Sequence, residues 1–172
     1  MSTGFLGPAA SSADSGGDGN GFQTNPTGAN ADDTALALDT DSGTGTSTSY
    51  TSSSKDRHRF RDYGIALPTG ASIKGIEVRL DARADSTSGS PRMCVQLSWN
   101  GGSSWTSAKT TSTLTTSEAT YLLGGPTNIW GRTWNASNLA NAAFRVRVVN
   151  VASSTSRDFS LDWIAVKVHY TH

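Results

Sequence analysis

The sequence predicts an all-β protein: an antiparallel β-sandwich of jelly-roll type with about eight strands and an extended N-terminal arm. Three observations support this fold class. Apolar and polar residues alternate in several segments, which is the period of a strand with one buried face. Glycine-rich turns separate those segments, and no long stretch has the 3.6-residue period of a helix. Charged residues make up only 16% of the chain, which excludes a coiled coil.

The predicted strands follow one another through residues 34–172. The most regular is Ile76–Ala84, where apolar residues alternate with charged ones. Met93–Trp99 and Phe144–Val148 have the same alternation. We therefore expect each of these three strands to bury one face. The other predicted strands cover residues 35–38, 57–65, 105–109, 119–123 and 159–170.

The last strand contains a change of parity. Phe159, Leu161 and Trp163 alternate, but the apolar series then continues from Ile164 on the opposite parity. This pattern predicts a bulge near Leu161–Trp163 or a strand buried on both faces. The only helical signal is a turn or two within residues 135–143, with Asn135 or Ser137 as its N-cap.

The first 29 residues differ in composition from residues 30–172, which we interpret as the sandwich domain. They are rich in Gly, Ser, Asn and Asp, and their few large apolar residues are Phe5, Leu6 and Phe22. Such a segment cannot offset its ordering entropy alone. We expect an arm that those three residues anchor to a neighbouring subunit; the alternative is that the arm lies along its own domain.

Charge is divided along the chain. Residues 1–54 hold six Asp and no Lys or Arg, whereas residues 55–172 hold fourteen basic and eight acidic residues. Arg57, Arg59 and Arg61 alternate, which predicts one cationic face on an edge strand. Such a face ordinarily blocks aggregation, but it could also receive the acidic arm of a neighbouring subunit.

The formal net charge of zero argues against nucleic-acid binding, because no cationic surplus exists to release counterions. No stretch approaches the ~20 apolar residues of a membrane span. The single cysteine, Cys94, excludes an internal disulfide and a cysteine-based zinc site.

Catalytic groups are few. The chain has three His, of which two stand at its end, and its only glutamates are Glu77 and Glu118. No arrangement of nucleophile, base and orienting acid is evident, and no pair of carboxylates in a cleft is indicated. The sequence therefore predicts a protein that is not an enzyme.

Three tryptophans are candidate glycan-binding residues. Trp105 closes the segment Ser98–Trp105, which resembles an Asp-box hairpin with Asn100 in place of the Asp. Trp130 and Trp134 lie in a predicted loop, and loops carry binding function more often than strands. Core packing is the alternative for each of these residues.

Four carboxylates are candidate metal ligands. Asp32, Asp33, Asp39 and Asp41 could supply oxygen atoms for a structural calcium ion. Their spacing matches no defined loop, so solvated turn carboxylates are the ordinary expectation. We predict no cofactor other than such an ion.

Three segments resemble a family of β-sandwich domains found in phage virion proteins and in bacterial surface proteins of unassigned function. The segments are Leu67–Val78, Gly124–Trp134 and Phe159–Val168, and the likeness covers about residues 30–172. The resemblance implies a jelly-roll module that decorates or assembles on a surface. It brings no catalytic residues.

The sequence and this resemblance together predict a structural protein of a phage particle: a head decoration, fibre or tail accessory subunit. No signal peptide is evident at Met1–Gly21, and residence on a virion reconciles that with a surface-like composition. The predicted partners are other virion subunits, in a homo-oligomer or docked on a capsid or tail. One alternative is a carbohydrate-binding module that uses the loop tryptophans to bind polysaccharide. A second is a subunit of a cell-surface filament or surface layer.

Overall fold

The structure is a computed structural model that describes residues 1–172. It is an antiparallel β-sandwich, which confirms the predicted fold class. The five-stranded sheet has the order β1-β3-β8-β5-β6, and the four-stranded sheet has the order β2-β9-β4-β7. The strands are β1 (Ala10–Ala13), β2 (Ala37–Asp39), β3 (Arg57–Arg61), β4 (Ser72–Ala84), β5 (Arg92–Ser98), β6 (Lys109–Thr110), β7 (Ala119–Gly124), β8 (Arg145–Val151) and β9 (Phe159–Thr171).

Strands β2 to β9 have jelly-roll connectivity. Counted from β2, the eight strands have the orders 1-8-3-6 and 2-7-4-5 in the two sheets. Successive strands alternate between the sheets except at β5 and β6, which form a hairpin within one sheet. Strand β1 is a ninth strand, which the N-terminal segment adds beside β3.

The predicted strands agree with the observed ones because alternation marks a face that the sandwich buries. The bulge predicted near Leu161–Trp163 is present: Asp81 pairs with Trp163 and Ala82 with Leu161, which leaves Asp162 as the extra residue. The helical turn is also present as a short 3₁₀ helix at Ala136–Leu139, and the Asn135 side chain accepts a hydrogen bond from Asn138 N.

Two strands are shorter than predicted. The strand predicted at 57–65 ends at Arg61, because Asp62 has φ 62°. Of the strand predicted at 105–109, only Lys109 belongs to the ladder with β5, although Thr106 N also donates to Leu97 O at 2.9 Å. The preceding residues form a long loop because the Asn100 side chain holds the chain in a turn: its Oδ1 accepts from Ser98 Oγ and Ser104 N. This is the hairpin that the Asp-box resemblance implied, with the tryptophan outside the strand.

The core lies between the sheets. It includes Phe60, Leu80, Leu97, Val146 and Leu161, none of which is exposed. At one end of the core, aromatic rings form a continuous series from Tyr63 through Phe144 and Trp134 to Trp99, with centroid separations of 5.8, 6.0 and 6.4 Å. This series connects the core to the loops around Trp99. No helix in the structure has the length and hydropathy that crossing a bilayer would require.

The N-terminal segment does not extend away from the domain. Residues 1–6 run along β9, where Leu6 exchanges backbone hydrogen bonds with Val166 and Thr3 N donates to Val168 O. Residues 10–13 then pair with β3 in the other sheet. The segment expected to be an arm therefore covers one edge of each sheet of its own domain, which is the alternative stated for it.

Candidate functional site

The three residues expected to anchor the arm to a neighbour contact their own chain. Phe22 is 2% exposed and packs in the core against Phe60 and His58. Phe5 is half-buried beside Trp163, with ring centroids 6.2 Å apart. Leu6 is half-buried on β9. Phe22 was expected to pack on a neighbouring subunit, but it packs in the core of its own domain, where Phe60 and His58 supply the contact.

His58 fixes the approach of this segment to the sheet. Its Nδ1 accepts a hydrogen bond from Phe22 N at 3.1 Å, and its Nε2 lies 3.0 Å from Ser11 Oγ. Burial lowers the pKa of His58 to about 4. The ring is therefore neutral at neutral pH, which leaves Nδ1 free to accept and Nε2 to donate.

The basic strand and the acidic segment meet within one chain. Asp14 is 2% exposed; its Oδ2 accepts from Arg59 Nε at 2.8 Å and from Arg147 Nη1 at 2.9 Å. Burial would raise the pKa of Asp14, but hydrogen bonds from Arg59, Gly16 N and Arg147 outweigh it and hold the pKa well below 3.8. Charge complementarity therefore acts inside the molecule.

The series Arg57, Arg59 and Arg61 does not lie on an edge strand, because β1 covers β3. Arg57 is buried and donates to Tyr50 O and Ser52 O. The side chains of Arg59 and Arg61 stay partly exposed, at 30% and 37%, and Arg61 Nε lies 3.7 Å from Asp62 Oδ2. The alternation correctly predicted that the three side chains share one face of β3. It could not predict that β1 would pair with the free edge of this strand, because that pairing is not local.

A cleft of about 500 Å³ lies beside edge strand β6. The β5–β6 loop forms one wall and the β7–β8 loop forms the other. Ten residues line the cleft, and none of them carries a carboxylate. The side chains that define its chemistry are Trp99, Trp105, Lys109, Asn128, Trp130 and Arg132.

Trp130 forms the buried wall of the cleft. It is 6% exposed, and its Nε1 donates to Ile76 O at 2.8 Å. Gly124 permits this approach, because a Cβ there would lie 2.7 Å from Trp130 Nε1. The backbone of Trp130 has φ 55°, a strained value for a bulky residue, and Asn128 Oδ1 accepts its N–H at 3.0 Å.

Two cations lie against the aromatic walls. The Arg132 guanidinium is 3.8 Å from the ring centroid of Trp99 and 4.8 Å from that of Trp134. Lys109 Nζ is 5.3 Å from the ring centroid of Trp130. Burial lowers the pKa of Arg132, but a guanidinium stays charged at physiological pH. The cleft therefore presents two positive charges beside three tryptophans.

The three tryptophans expected from the sequence separate in the structure. Trp105 and Trp130 line the cleft. Trp134 does not: it is 5% exposed, donates from Nε1 to Ile129 O, and packs beneath Arg132. The sequence analysis missed Trp99 as a cleft residue, because the alternation of β5 placed it with the core.

Trp105 also belongs to a polar network on the outer face of the five-stranded sheet. Its ring centroid is 4.1 Å from the Arg147 guanidinium and 5.2 Å from that of Arg59. Arg147 in turn donates to Gln96 Oε1 from Nε and Nη2. These contacts fix the Trp105 ring at the boundary between this network and the cleft.

The four carboxylates expected as metal ligands do not form one group. Asp33 Oδ1 accepts from Ala35 N, and Asp39 is fully buried with Oδ2 accepting from Asn150 Nδ2 at 2.7 Å. The other two lie in separate carboxylate clusters. Asp32 lies with Asp81 and Asp162, and Asp41 lies with Asp18 and Asp56.

The cluster of Asp32, Asp81 and Asp162 already has a cation. Arg79 Nη2 is 2.8 Å from Asp81 Oδ2 and 3.4 Å from Asp32 Oδ2. Burial, followed by the nearby carboxylates, raises the pKa of Asp162 to about 6. Arg79 therefore neutralises much of this group without a metal ion.

No family model matches the chain, and no curated protein matches it. Among solved structures, it is similar to a truncated AlyQ with CBM32 and alginate lyase domains, at 15% identity and a TM-score of 0.49, over 100% of this chain and 34% of that one. It is also similar to the CBM32 of AlyQ in complex with 4,5-unsaturated mannuronic acid, at 14% identity and a TM-score of 0.39, over 94% and 96% of the two chains. A third is the CBM22-1–GH10 modules of Clostridium thermocellum xylanase 10B complexed with xylohexaose, at 11% identity and a TM-score of 0.40, over 80% and 25%. Because every TM-score is below 0.5, we draw no argument about function from these likenesses.

Proposed function

We propose that the chain is a carbohydrate-binding module and that its cleft binds an acidic polysaccharide. The observation that carries this proposal is the composition of the cleft: three tryptophans and two cations, with no carboxylate among the ten lining residues. The sequence offers a carbohydrate-binding module as an alternative to a structural subunit of a phage particle.

The cleft has the chemistry that sugar binding needs. Aromatic rings supply apolar contact area for the C–H face of a pyranose at low conformational cost. Trp99 and Trp105 are half-buried and keep part of their surface at the cleft. The Asn128 side chain and the hydroxyl of Ser107 add polar groups that can orient sugar hydroxyls.

Lys109 and Arg132 favour an anionic sugar. A guanidinium or ammonium that meets a carboxylate away from bulk water forms a charge-assisted hydrogen bond. The chain as a whole has no net charge, so general attraction to polyanions does not explain a preference for an acidic polysaccharide. The preference would therefore come from the cleft.

One contact considered for assembly was between the acidic segment of one subunit and the basic strand of another. They meet within one chain at Asp14, Arg59 and Arg147. The charge division therefore has an explanation that needs no partner, and it no longer supports assembly. A phage or cell-surface subunit stays a prediction.

The test compares polygalacturonate with its fully methyl-esterified form by affinity electrophoresis and calorimetry. The two polymers have the same backbone, and only the first carries carboxylates. We expect tighter binding to polygalacturonate, and a loss of about tenfold in affinity for it with Lys109→Gln because one charge-assisted contact is removed. Trp105→Ala should weaken binding to both polymers.

Lys74→Gln is the matched control, because Lys74 is exposed on β4 and does not line the cleft. Thermal unfolding of each variant checks that the fold is intact. Alginate, xylan and cellulose extend the panel. Binding to neutral polymers alone would contradict the acidic preference, and no binding to any polymer would contradict the function itself.

A further inference from the structure

A second cluster of carboxylates lies where the N-terminal segment meets the sandwich. Asp18 follows β1, Asp41 follows β2, and Asp56 directly precedes β3. Their carboxylate oxygens all lie within 4.8 Å of one another. Three separate parts of the chain therefore bring three carboxylates together at the start of β3. Arg61 and Asp62 lie at the other end of this strand.

The carboxylate of Asp56 lacks a hydrogen-bond donor. It is 1% exposed, and neither of its carboxylate oxygens has a hydrogen-bond partner. A carboxylate can only accept hydrogen bonds, and burying it unpaired carries a large cost. Its side chain lies against the carboxylates of Asp18 and Asp41, which add repulsion instead of compensation.

The nearest lysine is engaged elsewhere. Lys55 is fully buried, and its Nζ donates to Ser42 Oγ and Ala152 O, both at 3.0 Å, and to Gly45 O. An ammonium has three donors, so these bonds use all of them. Lys55 therefore makes no hydrogen bond to Asp56. Lys55 still acts on this cluster through its charge, but no side chain forms a salt bridge with it, whereas Arg79 forms salt bridges with Asp32 and Asp81 in the other cluster.

We propose that Asp18, Asp41 and Asp56 bind a calcium ion. The ligand set consists of carboxylate oxygens, which suit a hard cation and not zinc or copper. Because the three carboxylate oxygens lie within 4.8 Å of one another, all three can reach one ion at calcium–oxygen distances of about 2.3–2.6 Å. Magnesium demands near-ideal octahedral geometry and keeps its water ligands, so three carboxylates from three loops favour calcium.

The loops already orient two of the ligands. Asp41 Oδ1 accepts from Gly43 N at 3.0 Å, and Asp18 Oδ1 accepts from Asn20 N at 3.2 Å. Each of these carboxylates keeps its second oxygen for the ion. The bound ion would join the N-terminal segment to the β2–β3 loop and to the start of β3, so it stabilises the folded chain by binding to it and not to the unfolded chain.

Thermal unfolding of the full chain, first treated with EDTA and then titrated with CaCl₂, tests this site. At a free calcium concentration about a hundredfold above Kd, we expect the Tm to rise by about 5–10 °C. Calorimetry with CaCl₂ should give one site per chain. MgCl₂ should give a smaller shift.

Asp56→Asn should abolish the calcium-dependent rise in Tm while leaving the calcium-free Tm unchanged or higher, because it also removes repulsion. Asp41→Asn, at a half-buried position, provides a second variant if the first does not fold. Asp62→Asn is the matched control at the far end of β3 and should keep the full response. The proposal is wrong if calcium changes neither the Tm nor the calorimetric heat of the native chain. It is also wrong if Asp56→Asn and Asp41→Asn both respond to calcium as the native chain does.

Discussion

Asp14 shows how a single residue holds the two halves of the charge pattern together. It lies in the acidic N-terminal part of the sequence, yet its carboxylate is buried between two arginines of the basic part. These interactions are strong because both arginines form charge-assisted hydrogen bonds with the carboxylate. Gly16 N also donates to it. Removing one partner of such a pair leaves a poorly compensated charge.

We expect Asp14→Asn to lower the free energy of unfolding by about 3 kcal/mol at pH 7. The folded-state pKa of Asp14 is below its ordinary value, so its contribution is complete above about pH 4 and is lost as pH falls further. The stability difference between the native chain and the variant should therefore shrink below about pH 4. Chemical denaturation at a series of pH values measures this difference.

Asp62→Asn is the control for this prediction. Asp62 is a partly exposed member of a looser ion pair, with Arg61 Nε at 3.7 Å. Surface pairs of this kind contribute about 0–1 kcal/mol. An equal loss in both variants would show that Asp14 is not the special member of this charge pattern.

At the scale of elements, the N-terminal segment is an integral part of the sandwich. Residues 1–6 pair with β9 beyond the end of β2, and β1 pairs with β3. The segment thus protects two backbone edges that could otherwise recruit other strands. Phe22, which lies between β1 and the 3₁₀ turn at Pro26–Ala29 in the sequence, packs in the core.

We expect Phe22→Ala to lower the free energy of unfolding by about 3–5 kcal/mol, because it leaves a cavity in the core. Phe5→Ala should cost less than about 1.5 kcal/mol, since Phe5 is only half-buried against Trp163. Urea denaturation of both variants tests this ranking. A neutral Phe22→Ala substitution would show that the segment is not integrated into the fold.

At the scale of the whole molecule, the contacts that suggested assembly are satisfied internally. The acidic segment lies on its own sheet, and the predicted anchors pack on their own domain. The cleft beside β6 is the surface that we propose for a polysaccharide. A module that binds polysaccharide does not need to form an oligomer.

We therefore expect light scattering to give a monomer mass of 18.0 kDa for the full chain over a range of concentrations. A defined oligomer would favour the phage or cell-surface reading and would point to a surface other than the N-terminal segment. Adding polygalacturonate to the same samples would show whether the ligand itself links several molecules.

The sequence alone determined the architecture of the sandwich. The alternation in β4, β5 and β8 identified their buried faces, and the change of parity in β9 located the bulge at Asp162. These features could be predicted because a strand that buries one face imposes a period of two on its own residues. Local residue types also limited the N-cap to Asn135 or Ser137 and indicated the hairpin around Asn100; the structure shows that Asn135 is the cap.

Only the tertiary structure decided where the N-terminal segment lies and which side chains form the sites. Trp99 and Trp130 are 31 positions apart in the sequence, and Asp18 and Asp56 are 38 apart; each pair shares a site because of how the loops cross. A composition rich in Gly and Ser predicted an arm because it contains little apolar surface to drive folding. The N-terminal segment is instead held by backbone pairing with β3 and by the buried carboxylate of Asp14. The composition of the segment could not reveal these contacts, because their partners lie far away in the sequence.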